Sequence, residues 1–226
     1  YDNNGAVGTS RLSSLQECGS DAVCLPPTVM GWQNGGSGFE VTQHQPVDWS
    51  GPYDFSHYSY QFPDLNGDGR ADLVIARAEN GKAELGYRLS NGLGFEPQQQ
   101  VIDWSVYDFS WYRFQFADIN GDGHPDLMLT RAQPGQAEVS FMLWTGNGFG
   151  PMQLVIDWSG PSDYSHYSYQ FPDLDGDGRA DLVITRAENG KAEVGYRLSN
   201  GTGFGPQQQV IDWSVYDFSG YRFQFA

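Results

Sequence analysis

The chain has 226 residues, enough for one all-β domain or two small ones with a real core. Acidic residues outnumber basic ones 28 to 12, and the formal charge of −16 argues against nucleic acid and anionic membrane as partners. Aromatic residues reach 15% and glycines number 29, which suits short strands separated by tight turns, and no apolar run approaches the roughly 18 residues a membrane span needs.

The N-terminal stretch holds the two cysteines, Cys18 and Cys24. Their spacing could close a small loop in an oxidising compartment, and two unpaired thiols are the alternative. No second pair or spaced histidine makes a zinc site. Residues 28–41, "TVMGWQNGGSGFEV", align with residues 139–152, "VSFMLWTGNGFGPM", so residues 1–46 read as the later strands of a repeat unit.

From Val47 the chain repeats itself with a period of 54 to 55 residues. The units are 47–101, 102–155 and 156–210, and a fourth opens at 211 and stops at 226. The first and third resemble each other far more than either resembles the second, so the array alternates in type. Each unit predicts four short strands. "YRFQF" (112–116) alternates aromatic and polar residues, as a half-buried strand does. "DLVIARA" (72–78) is a continuous apolar run suited to burial on both faces. "KAELGYRLS" (82–90) alternates again, and "QQQVIDW" (98–104) supplies the fourth strand. "ENGK" predicts a tight hairpin with positive φ at both Asn and Gly. "SNGLGF" separates the third strand from the fourth.

Four antiparallel strands per unit, repeated, predict an all-β fold: a β-propeller of four-stranded blades. A β-sandwich is the alternative, disfavoured by the near-constant period. The chain starts without Met and its last repeat ends mid-motif, so a fragment of a larger propeller is expected. Pairing of the two ends into a four-bladed ring is the other reading.

Between the first and second predicted strands lies an acidic loop, as in "QFPDLNGDGRADLVI" (61–75). The three loops carry Asp64, Asn66, Asp68 and Asp72; Asp118, Asn120, Asp122 and Asp126; and Asp173, Asp175, Asp177 and Asp181. Oxygen ligands at alternate positions, with Gly allowing a sharp turn, wrap a hard cation of Ca²⁺ size. The backbone carbonyls of Arg70, His124 and Arg179 would add to each set, giving about three Ca²⁺ sites. Mg²⁺ suits the pattern less, because it keeps its waters. An EF-hand fails: its twelfth position needs Glu, and here it is Ile75, Leu129 or Ile184, with strands rather than helices on either side. A metal-free Asx-rich turn would not need so many acids converging.

The pattern D-x-[DN]-x-D-G-x-x-D-L, followed by strands and then "GFGP" (148–151 and 203–206), resembles the FG-GAP/VCBS repeat, the calcium-binding blade also found in integrin α-chain propellers. The resemblance covers residues 47–226. The first repeat departs from it with Glu96 where the others have Gly. Residues 10–39, through Arg11, Leu12, Cys18, Cys24, Leu25, Pro26, Pro27 and Trp32, are similar to the segment leading into the propeller of SpvB-type proteins, insecticidal toxin-complex B subunits and related RHS/YD-repeat proteins. That resemblance implies a secreted, non-catalytic scaffold or docking module. Its partner would be a toxin subunit or a host surface protein, with the toxic activity elsewhere.

The opposite end of each blade is expected to carry the "ENGK" corners and aromatic linkers. These bring Asp48 and Trp49, Asp103 and Trp104, Asp157 and Trp158, and Asp212 and Trp213 to one rim. Repeated Trp/Asp groups could bind glycan as a lectin or adhesin does, or meet a protein partner. The alternative is that the tryptophans wedge between blades while Asp and Ser satisfy backbone groups. His57 and His166 occupy matching places, where the other repeats have Trp111 and Gly220, and fit surface packing. No nucleophile elbow, phosphate loop or zinc-protease motif appears, and no acid–base constellation is free of the loops, so no enzyme is expected.

Overall fold

The computed structural model describes residues 14–16, 24, 27–29 and 56–223. The chain divides into two units, Tyr1–Asp48 and Trp49–Ala226. In the first, β1 (Ser14–Leu15) pairs antiparallel with β2 (Thr28–Val29). Cys24 is disulfide-bonded. Cys18, residues 30–41 of the aligned stretch, Asp48 and Trp49 lie outside the described residues.

The second unit holds three antiparallel sheets, one per repeat. They comprise β3 (Tyr58–Gln61), β4 (Leu73–Arg88) and β5 (Gln99–Asp108); β6 (Tyr112–Ala117), β7 (Asp126–Met142) and β8 (Gln153–Asp163); and β9 (Tyr167–Gln170), β10 (Leu182–Arg197) and β11 (Gln208–Asp217). Among the described residues there is no helix long and apolar enough to cross a membrane.

Each sheet therefore has three strands, not the four expected. The expected second and third strands are one continuous run. The cause lies at the corner: Asn80 pairs with Asp108 and Lys82 with Ser105 across a bulge, so the residues between stay within the ladder. The run nonetheless doubles back. Seven extended residues span roughly 23 Å, yet Arg77 Nη1 reaches Glu84 Oε2 at 3.5 Å.

The turn also differs from expectation. Gly81 takes φ +81°, but Asn80 does not share a positive φ; Val215 is the only non-glycine among the described residues that has one. The second repeat shows why the tighter turn is excluded. Its corner is Pro134-Gly135, proline fixes φ near −65°, and Gly135 alone takes φ +83°.

The fourth predicted strand runs further than expected. Asp103, Trp104 and Ser105 are not linker residues; they pair with Glu84, Ala83 and Lys82. The chain leaves the sheet only after this point. Phe109 N–H then bonds the Glu79 carbonyl at 3.0 Å, tying the connection to the corner.

Burial follows the predicted apolar runs. Leu73, Val74, Ile75 and Ala76 are all buried, because alternate residues of the run serve different faces. One core joins the first sheet to the second, with Leu65, Val74, Leu85 and Tyr87 against Phe114, Leu127, Leu129 and Trp144. A second core sets Ile119, Met128, Val139 and Phe141 against Tyr169, Leu182 and Ile184. The corresponding face of the third sheet is open. There Leu174, Val183, Val194, Leu198 and Val210 line a hollow of about 310 Å³.

Candidate metal loops and inter-sheet crevices

The acidic loops form as the sequence predicts, at the end of each sheet opposite the Gly81-type corners. Asp64 starts the first loop and accepts from Asp68 N–H at 3.1 Å and from Gly69 N–H at 2.7 Å. Asn66 Oδ1 accepts from Asp68 N–H, and Asp68 Oδ1 accepts from Arg70 N–H at 2.9 Å. Asp118, Asn120 and Asp122 repeat this arrangement, with Gly123 and His124 N–H groups as donors. Asp173, Asp175 and Asp177 do so again, with Gly178 and Arg179 as donors. Such chains of side-chain acceptors hold the backbone in a tight coil that extended pairing cannot satisfy.

Gly67 is needed at its place. It takes φ +71°, and a Cβ there would lie 2.7 Å from the His124 ring of the next loop. Neighbouring loops also touch through backbone: Ala180 N–H donates to the Asp118 carbonyl at 2.6 Å.

The fingerprint divides into two jobs. Asp173, Asp175 and Asp177 are exposed, and one oxygen from each lies within 4.8 Å of the others. Asp181 instead is buried. Its Oδ2 accepts from Leu174 N–H at 2.9 Å and its Oδ1 from Ser199 N–H at 2.7 Å. Asp72 does the same for Leu65 and Ser90, and Asp126 for Ile119 and Trp144. These last aspartates clamp the loop to the turn after the long strand. Burial pushes the Asp126 carboxyl up to about 6 against the pull of its two N–H donors, and Asp122 and Asp118 add to the rise.

The donors fit a hard cation: carboxylate and amide oxygens at alternate positions, with the third-loop carboxylates already convergent. In the first and third loops, an arginine pairs with one of the loop carboxylates, Arg70 with Asp68 at 2.6 Å and Arg179 with Asp177.

The tryptophans of the expected rim lie in aromatic clusters of their own connections. Trp104 packs on Phe109 and Tyr112 at 6.0 and 6.2 Å, and Trp158 on Tyr164 and Tyr167 at 6.1 and 5.8 Å. Trp213 touches Phe218 and is exposed. Asp103 pairs with Lys82 and Asp212 with Lys191, while Asp157 stands opposite Glu138 in the ladder. His57 and His166 sit 3.3 Å from Glu79 and Glu188.

Two crevices between successive sheets have no signal in the residue pattern. One, about 330 Å³, lies between the first and second sheets and is bordered by Ser59, Gln61 and Arg113. The other, about 290 Å³, lies between the second and third and is bordered by Trp111, Arg113, Gln115 and Tyr169. In the second, Gln115 Oε1 and Tyr169 OH are buried without a hydrogen-bond partner.

Residues 64–129 match the FG-GAP-like repeat family. That stretch takes in the acidic loops of the first and second repeats, and the third loop has the same pattern. A lectin of Agrocybe aegerita, described as recognising non-reducing terminal N-acetylglucosamine, is similar in structure: TM-score 0.50, 23% identity, 86% of this chain and 46% of the lectin chain. The likeness is one of fold, and this chain spans less than half of the lectin chain. The Photorhabdus luminescens Tc holotoxin pore is similar at TM-score 0.46 and 22% identity, over 76% of this chain and 8% of that one. No curated protein matches the sequence.

Proposed function

We propose that this chain is a calcium-stabilised, non-catalytic β-propeller segment that serves as scaffold and docking module of a secreted, toxin-like protein. The observation that carries the reading is the threefold acidic loop between a short first strand and a long second run, the first two of the three loops lying within the stretch that matches the FG-GAP-like repeat. Asp64, Asn66 and Asp68, and their counterparts Asp118, Asn120, Asp122, Asp173, Asp175 and Asp177, would hold Ca²⁺ with the carbonyls of Arg70, His124 and Arg179. Asp72, Asp126 and Asp181 would brace each set from behind. The cation would offset the crowded carboxylates and turn its binding energy into loop stability.

Calorimetric titration with Ca²⁺, paired with thermal unfolding in Ca²⁺ and in excess EGTA, tests this. Saturable binding near three ions per chain and a melting temperature several degrees lower in EGTA are expected. An unchanged melting point rejects the metal.

A glycan-binding role is the second reading, and the crevice between the second and third sheets favours it. The buried Gln115 oxygen and Tyr169 hydroxyl want polar partners that the protein does not supply. That a lectin shares the fold adds only that such a framework can present sugar sites.

A further inference from the structure

Three near-equivalent glutamines border the successive sheets, and they behave differently. Gln61 Nε2 donates to the Phe114 carbonyl at 2.8 Å, and Gln170 Nε2 donates to the Phe223 carbonyl at 3.1 Å. Gln61 thereby bridges its own first strand to that of the next repeat, and Gln170 bridges its first strand to the chain that follows β11. Gln115, between them, has a buried Oε1 with no partner. Opposite it stands Tyr169, where the earlier crevice has Phe114. Tyr169 is 7% exposed, and its hydroxyl also lacks a partner. Burial raises its pKa, so it is a hydrogen-bond donor at neutral pH.

Two orphaned polar atoms in one opening are costly and ask for a partner with both donor and acceptor capacity. The opening is shaped for a small one. Its volume of about 290 Å³ is at the low end for ligand pockets. Trp111 is 41% exposed on its border and offers an aromatic surface. Arg113 is fixed there by its bonds to the Ser110 and Tyr112 carbonyls at 2.9 and 2.8 Å. Adjacent hydroxyls of a sugar ring each donate and accept, and the ring's C–H face suits an indole.

We propose that the crevice between the second and third sheets binds one neutral sugar residue, with Tyr169 OH and Gln115 Oε1 on neighbouring sugar hydroxyls and Trp111 against the ring. The inference rests on the glycan-binding reading and places its site away from the Asp-Trp pairs. It also sets the count: the first crevice has its glutamine satisfied and a phenyl ring in place of the phenol, so the described repeats carry one such site.

The test probes an array of neutral glycans with the whole chain and three variants, and follows thermal unfolding of each. Tyr169→Phe and Gln115→Leu are expected to weaken the best glycan about tenfold or more, while Gln61→Leu binds as the parent does. Tyr169→Phe should melt at the parent temperature or above it, since its hydroxyl has no protein partner to lose. Glycan binding that Tyr169→Phe and Gln115→Leu leave intact overturns the site and leaves the glycan reading standing. Equal loss in all three variants, or a melting temperature several degrees lower for Tyr169→Phe, also overturns the site. No binding by the parent chain to any glycan overturns both.

Discussion

Asp126 Oδ1 accepts a hydrogen bond from the backbone N–H of Trp144 at 2.7 Å, across eighteen residues of chain. Its other oxygen holds Ile119 N–H at 2.9 Å. One carboxylate thus fastens the acidic loop to the turn beyond the long strand, and both N–H groups would otherwise be buried without acceptors. Asp126→Ala is expected to lower stability by about 2–5 kcal/mol, the sum of two orphaned donors. Asp126→Asn, which keeps one oxygen, should cost about half as much. Urea unfolding of the two variants measures this, and a loss under about 1 kcal/mol for the alanine would refute the clamp.

The ion pairs near the corners should not be equal. Arg131 and Glu138 pair at 3.0 Å with their side chains largely buried, and Arg131 also lies over the Tyr112 ring at 5.0 Å. In the first repeat Arg77 pairs with Glu84 and also with Glu79. The second repeat has Gln133 in place of that second acid. Glu138→Ala should therefore cost about 2–4 kcal/mol by stranding a guanidinium, and Glu84→Ala about 1 kcal/mol. Equal losses in chemical denaturation would show that the second acid is irrelevant.

Leu65 and Leu174 hold the same place in near-identical repeats, but Leu65 is 0% exposed and Leu174 is 40% exposed. The difference is the neighbouring sheet that covers Leu65. Leu65→Ala should cost about 2–4 kcal/mol and Leu174→Ala less than about 1 kcal/mol. The pair of variants, unfolded side by side, reads out how much of the core is made between sheets.

Val215 is 85% exposed and takes φ +91°, a region unfavourable for a β-branched residue. The same place in the second repeat is Gly160, at φ +152°. Val215→Gly removes the strain and gives up little packing. A gain of about 0.5–1 kcal/mol is expected after the extra freedom of glycine in the unfolded chain is subtracted. A loss of stability in thermal or urea unfolding would contradict it.

Much of this architecture was legible from residue pattern. Alternation in "YRFQF" and the unbroken apolar run after Asp72 placed the first two strands, because burial on one face or both writes itself directly into side-chain polarity. The acidic loops were legible because their chemistry is local. The strand beyond Trp104 was not: Ser105 and Asp108 have turn-like identities, and only their partners Lys82 and Asn80 keep them in the sheet. The separate task of Asp72, Asp126 and Asp181 was hidden as well. It depends on N–H groups up to eighteen residues away. Gln61, Gln115 and Gln170 look alike in sequence, and their different bonding appears only once neighbouring sheets meet.

Among the described residues, the borders that follow the three sheets come in two kinds, the first and third alike and the second different. Gln61 and Gln170 stitch one kind, while the seam beside Gln115 lacks the stitch and carries a tyrosine instead. Lengthening or shortening such an array by a single unit would press together surfaces that were never matched. Adding or removing units two at a time would keep every seam between proper mates, so the heritable building block is the doublet.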